Sequence, residues 1–153
     1  MGVRLSAEER ETFLQNGHTG IITTLRRDGS PVSLPVWYAY LDGKVYVGSP
    51  ESAAKVKRIR HDDRAWFLVE SGEKWKELAA VGFPARATVV EGAEADRAMA
   101  AYEEKYAEFR TPPEEMPGAA QNHYAKTVML RLDPTGDALT WNNAKIRLKS
   151  PVS

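Results

Sequence analysis

Short apolar runs, each closed by turn residues, recur along most of the chain. "GIITTL" (Gly20–Leu25) is β-branched and brief, and the "RRDGSP" that follows supplies the residues of a turn. From Val32 to Tyr40 the pattern alternates. Val32, Leu34, Val36, Tyr38 and Tyr40 fall on one face, and Ser33, Pro35, Trp37 and Ala39 on the other, which predicts one strand. "LDGK" then closes a hairpin into "VYVG". "RAWFLVE", "PARATVVEG", Thr127–Leu132 and Ala138–Leu148 also read as strands, while "EKWKELAAVGF" fits either strand or helix.

Helical spacing is confined to three places. The first is an opening helix over about residues 6–16, where Ser6 and Glu9 have the spacing of a capping box and Gly17 lies just beyond the end. The second is short, Ala53 to about His61, with Val56 and Ile59 on a buried face after a loop at 49–52. The third, about 93–110, carries Ala95, Met99, Tyr102, Tyr106 and Phe109 on one side. "TPPEEMPGAAQN" reads as a mobile connecting loop. Six or seven short strands in sequential hairpins, with few helices, predict a single mainly β domain over residues 1–153: an antiparallel β-barrel with peripheral helices.

Composition narrows the function classes. With 153 residues, 42% hydrophobic and 27% charged, the chain suits one soluble globular domain. The 21 Lys and Arg balance 21 Asp and Glu, so the whole-molecule basic footprint of a nucleic-acid binder is missing, and a cationic helix working with Trp66 and Trp75 is a remote reading. Without cysteine there is no disulfide framework, thiolate nucleophile or Cys-type zinc site. No apolar run approaches the roughly 18 residues of a membrane helix, and the charged "MGVRLSAEERE" start gives the expectation of a cytoplasmic protein without membrane partners.

The balanced charge is unevenly placed. In "SPESAAKVKRIRHDDRAWFLVE" five cations, Lys55, Lys57, Arg58, Arg60 and Arg64, fall within ten positions. Ser52 is a plausible N-cap, which puts Lys55 in the first helical turn, where exposed N–H groups and the dipole disfavour a cation unless an anion is present. Glu51 is one source of that charge. A phosphate held by Ser49, Ser52, Lys55 and Arg58 is another, and a solvated cationic face is the bland alternative. Dinucleotide and P-loop glycine motifs are absent, as is a G-x-S-x-G elbow, and His18, His61 and His123 lack metal-ligand spacing. A phosphate site without an evident acid, base or nucleophile suits chemistry carried by a bound cofactor.

"GIITTLRRDGSPVSLPVWYAYLDGKVYVGSPESAAKVKRIRHDDRAWFLVE" resembles the first half of the pyridoxamine 5'-phosphate oxidase-like, FMN-binding split β-barrel family of flavin and deazaflavin oxidoreductases. Leu25 to Trp37 is similar to that family's "L-x-T-x-x-x-D-G-x-P-x-x-x-P-V-W", and Ser52 to Ala65 to its "S-x-x-K-x-x-N-L-x-x-D-P-R-V". Weaker echoes continue in "GFPARATVVEG" and "LTWNNAKI". Arg58 stands where Asn is usual, Asp63 where Pro is, and Ala85 where Gly is.

The resemblance implies a split barrel that binds FMN or the deazaflavin coenzyme F-420. Lys55 would hold the phosphate with Ser49, Ser52 and Arg58, and the ring would lie against Pro35, Val36, Trp37 and Tyr38. Lys57, Arg60 and Arg64 would suit the anionic tail of coenzyme F-420, which tips the choice slightly towards the deazaflavin. It further implies a homodimer with cofactor at the subunit interface, and hydride transfer to a planar conjugated small molecule. The alternative is a non-catalytic FMN, deazaflavin or haem carrier on the same fold. No second phosphate set is visible for pyridoxamine phosphate itself.

Overall fold

The computed structural model describes residues 2–124 and 126–149, with side chains left aside at 122–124, where the histidine of the final helix falls. Helix α1 (Ala7–Asn16) begins in the expected capping box: Glu9 N–H donates to Ser6 Oγ at 3.1 Å, and Ser6 N–H donates to Glu9 Oε1 at 2.9 Å. Two hairpins follow. β1 (Gly20–Leu25) and β2 (Pro31–Val36) turn at Gly29, and β3 (Tyr38–Leu41) and β4 (Lys44–Pro50) turn at Asp42 and Gly43. Asp42 and Gly43 have φ of 52° and 75°, the left-handed pair that matches the twist of a two-residue hairpin.

Then come α2 (Ala54–His61), β5 (Arg64–Ser71), β6 (Ala79–Val90), α3 (Gly92–Tyr106), α4 (Gly118–Tyr124), β7 (Thr127–Pro134) and β8 (Leu139–Asn142). The sheet order is β2-β1-β5-β6-β7-β4-β3, antiparallel throughout and not closed. The twelve-residue β6 pairs β5 along one edge and divides its other edge between two neighbours, β8 through Ala79–Gly82 and β7 through Ala85–Val90. This division splits the barrel.

Four expectations change in detail. The stretch Val32–Tyr40 is two strands broken at Trp37, which brings the count to eight, because β2 and β3 lie at opposite edges of the sheet. The third helix ends at Tyr106 and tightens into a 3-10 turn at Ala107–Phe109 ahead of the Pro112–Pro113 pair. The connecting loop holds a 3-10 turn, Pro113–Glu115, and the helix α4. The last strand stops at Asn142, whose side-chain oxygen accepts from Ala144 N–H at 2.9 Å and opens a 3-10 turn instead.

Phe67 shows how the barrel interior is filled. Its ring is fully buried, edge-on to Tyr38 at 5.1 Å and tilted to Phe83 at 5.8 Å, and it lies where a Cβ on Gly20 would stand. Burial of one such side chain contributes about 2–3 kcal/mol. A second, smaller cluster lies outside the barrel, where Ala98, Met99 and Tyr102 of α3 cover Tyr46, Val90 and Met129. The apolar side of α3 is therefore used within its own fold, while Phe109, in the 3-10 turn beyond its end, is exposed.

Candidate functional site

The chain passes from one edge of the open sheet to the other at Trp37, and a pocket of about 460 Å³ lies at this seam. Thr19, Pro35, Val36, Trp37, Gly48, Pro50, Lys55 and Tyr102 line it. The Trp37 indole stacks on Tyr106 with ring centres 4.4 Å apart and planes 3° from parallel. Tyr102 lies over β4 because residue 48 is glycine: a Cβ there would stand 2.5–2.8 Å from the phenol ring and its oxygen. No carboxylate lines the pocket among the described residues.

Lys55 is the cation of this pocket. It is the second residue of α2, half-buried, and among the described residues it takes part in no hydrogen bond or ion pair. Burial, and then the neighbouring charge of Arg58, lower its pKa from the ordinary lysine value. Both effects disfavour its charged form. Arg58, one turn further on, is anchored to the barrel by donating from Nε to the buried Thr24 Oγ1 at 2.8 Å.

The other expected site residues divide clearly. Pro35, Val36 and Trp37 join Lys55 at the pocket. Tyr38 turns inward, fully buried, and donates its hydroxyl to Leu14 O at 2.7 Å. Ser49 also turns inward and donates to Pro50 O, so Gly48 and Pro50 face the pocket in its place. Ser52 is exposed in the turn ahead of α2; Ala53 occupies the N-cap, without a side-chain cap bond, because Ala53 N–H closes a turn on Pro50 O. Lys57 and Arg60 are exposed on α2, Arg64 is paired with Asp62 at 2.8 Å, and Glu51 is paired with Lys126 at 2.7 Å.

Sequence reasoning missed Thr19, Gly48, Tyr102 and the support behind Trp37. Tyr102 was legible only as a member of an apolar helix face. Its role depends on Gly48, a residue on another element, and no local pattern links the two.

Along the outer face of the sheet, register brings apolar side chains together. Ile21 stands opposite Pro35 on one side and Leu68 on the other; Leu68 faces Gly82, and Gly82 faces Leu139. Trp66 and Trp141 lie on the same side, and Leu139 and Trp141 remain 52% and 46% exposed. Pro35 belongs both to this face and to the pocket, so the pocket opens at the margin of the face.

An open antiparallel barrel divided at β6, with its pocket at the seam, defines the split-barrel class. The family model described as pyridoxamine 5'-phosphate oxidase matches residues 6–135, and the chain belongs to that family. Among solved structures, a conserved hypothetical protein of Mycobacterium tuberculosis is 25% identical with TM-score 0.78, over 99% of this chain and 94% of that one. A FAD-binding protein of Mesorhizobium loti is 18% identical with TM-score 0.67, over 88% and 90% of the two chains. A heme binding protein of Mycobacterium smegmatis is 22% identical with TM-score 0.67, over 92% of this chain and 60% of that one. The last two likenesses concern the fold. No curated protein matches the chain. No helix among the described residues is long and apolar enough to cross a membrane.

Proposed function

We propose that this chain is a flavin- or deazaflavin-dependent oxidoreductase acting on a planar conjugated small molecule. The observation that carries the reading is Lys55: a half-buried ammonium that forms no ion pair among the described residues, in a pocket walled by Trp37 and Tyr102 with no carboxylate among its described lining residues. That donor set fits a group with a phosphate at one end and a flat ring at the other. Lys55 and the α2 N-terminus would hold the phosphate, with Arg58 adding charge from its anchor on Thr24. Pro35, Val36 and Trp37 would take the ring.

When bound, such a cofactor supplies hydride from flavin N5 or deazaflavin C5, and the chain contributes binding and orientation. Coenzyme F-420 is preferred to FMN because Lys57 and Arg60, exposed on α2 and without an ion pair among the described residues, offer cations to an oligoglutamate tail. Arg64 is a weaker candidate, since Asp62 already neutralises it. The apolar outer face suits a second copy of the chain, giving a homodimer whose partner covers the mouth of the pocket.

A carrier of flavin, deazaflavin or haem is the second reading, favoured by the likeness to a heme binding protein and by a pocket whose described lining holds no carboxylate or histidine. The test is the absorption spectrum of the purified protein, then fluorescence titration with FMN and coenzyme F-420, then reduced cofactor with a panel of enones. Substrate-dependent cofactor oxidation supports the oxidoreductase. Binding without turnover supports the carrier, and no binding of either cofactor overturns both flavin readings.

A further inference from the structure

At the seam, the backbone of Tyr38 has lost the neighbour that a closed barrel would give it, and α3 supplies the missing partners. Tyr38 N–H donates to Tyr106 Oη at 3.0 Å, while Tyr106 Oη lies 2.6 Å from His18 O, to which it donates. On the other side of the same residue, Lys105 Nζ donates to Tyr38 O at 3.0 Å and lies 3.8 Å from the centre of the Tyr38 ring. Tyr106 carries the Trp37 indole on its own face. Two consecutive residues of α3 thus hold both peptide groups of Tyr38: Tyr106 the one it shares with Trp37, and Lys105 the one it shares with Ala39.

We infer that Lys105 is a positioning residue for the Trp37 wall: its ammonium, held between the Tyr38 carbonyl and the Tyr38 ring, sets the orientation of the indole that a bound ring must meet. The inference rests on the pocket being the cofactor site. Its basis is separate, however, because Lys105 is not among the lining residues and acts through Tyr38 and Tyr106.

Stability alone does not explain a charged side chain here. Burial disfavours the charge and lowers the Lys105 pKa to about 8, and no carboxylate pairs with it among the described residues. The Tyr38 and Tyr106 phenols beside it are themselves pushed up by burial, so neither supplies a counter-charge at neutral pH. The titratable groups next to it along the chain are Glu104, the residue before it, Tyr102, three positions earlier on α3, and Glu108, three positions later in the 3-10 turn, while His18 from the segment before β1 packs on Tyr106. A cation kept at a cost to the fold points to the geometry it enforces.

The test compares Lys105→Met and Lys105→Arg with the wild type in three measurements at pH 7. The indole N–H resonance of Trp37, assigned by its loss in Trp37→Phe, is read in the ligand-free protein. Melting temperature and FMN affinity are read beside it. Lys105→Met is expected to displace the Trp37 resonance, to weaken FMN binding roughly three- to tenfold, and to melt within about 2 °C of wild type. Lys105→Arg, which keeps the charge, is expected to recover most of the affinity.

An unmoved Trp37 resonance in Lys105→Met overturns the inference, as does a large fall in melting temperature with affinity retained, since that marks a purely structural residue. Failure of Lys105→Arg to recover any affinity also counts against it. If the resonance moves as expected but Lys55→Ala leaves FMN binding untouched, the phosphate-site reading fails and the role of Lys105 stands.

Discussion

Lys55 occupies a place that three effects make unfavourable for a cation: partial burial, the charge of Arg58, and the positive end of α2. An anion reverses all three at once. Lys55→Ala is therefore expected to weaken FMN or coenzyme F-420 binding roughly ten- to a hundredfold, the usual loss for a charge-assisted contact of about 1.5–3 kcal/mol. Lys57→Ala, on the exposed side of the helix, should cost less for FMN and more for the tailed cofactor. Fluorescence titration measures both. Equal affinities in wild type and Lys55→Ala, with the fold intact, would remove Lys55 from the site.

Lys105 gives a prediction of opposite character, readable in stability. Its pKa of about 8 in the folded chain lies below the 10.5 of an exposed lysine. Between those values the unfolded chain keeps a proton that the folded chain has released, so raising the pH through this window favours folding. Relative to Lys105→Met, wild type should gain stability from about pH 8 upward. The comparison is best made below pH 10. Above that, the phenols of Tyr38, Tyr40, Tyr46 and Tyr106, all raised chiefly by burial, oppose the trend because the unfolded chain ionises first. Denaturant melts at stepped pH measure the difference, and parallel curves for the two proteins would contradict it.

At the scale of elements, the approach of α3 to β4 shapes the pocket. Gly48 leaves room for the Tyr102 ring, and the N-terminal part of α3 is fastened to the barrel by Glu94, which accepts from Tyr46 Oη at 2.7 Å and from Arg131 Nη1 at 2.9 Å. Gly48→Val should drive Tyr102 off the strand, at a cost of about 1–3 kcal/mol for overpacking and at least tenfold in cofactor affinity. Thermal melts and ligand titration check the two effects. Unchanged binding would show that Tyr102 is dispensable to the pocket. Alternation in the sequence, with short apolar runs, identified β1, β2, β4, β5, β7 and the second half of β6, and helical spacing identified α1, α2 and α3. It did not show the break at Trp37, because Val32 to Tyr40 alternates without interruption and only the sheet order separates its halves. Nor did it show that Ser49 points inward, which follows from the register of β4 against β7. Lys55 stood out as a cation in the first turn of a helix, and Pro35, Val36 and Trp37 were named from the family resemblance, whereas Tyr102, Lys105 and Tyr106 come from a distant helix.

At the scale of the molecule, an outer sheet face bearing Ile21, Trp66, Leu68, Leu139 and Trp141 is an unusual surface for an isolated chain to present to water. Because Pro35 belongs to both this face and the pocket margin, a second copy seated on the face, as proposed, would also reach the pocket. Assembly and cofactor binding should then be linked: each stabilises the other by mass action, so cofactor affinity falls on dilution as subunits separate. Leu139→Glu and Leu139→Lys test the link without disturbing the interior, since that side chain lies about half in solvent, whereas Trp141 is left in place because its indole N–H donates to the buried Asn143 side chain. Each is expected to shift the protein from dimer to monomer in sedimentation at micromolar concentration, with near-native circular dichroism and cofactor affinity at least tenfold lower. A wild-type monomer that binds cofactor tightly under the same conditions would break the connection between this face and the site.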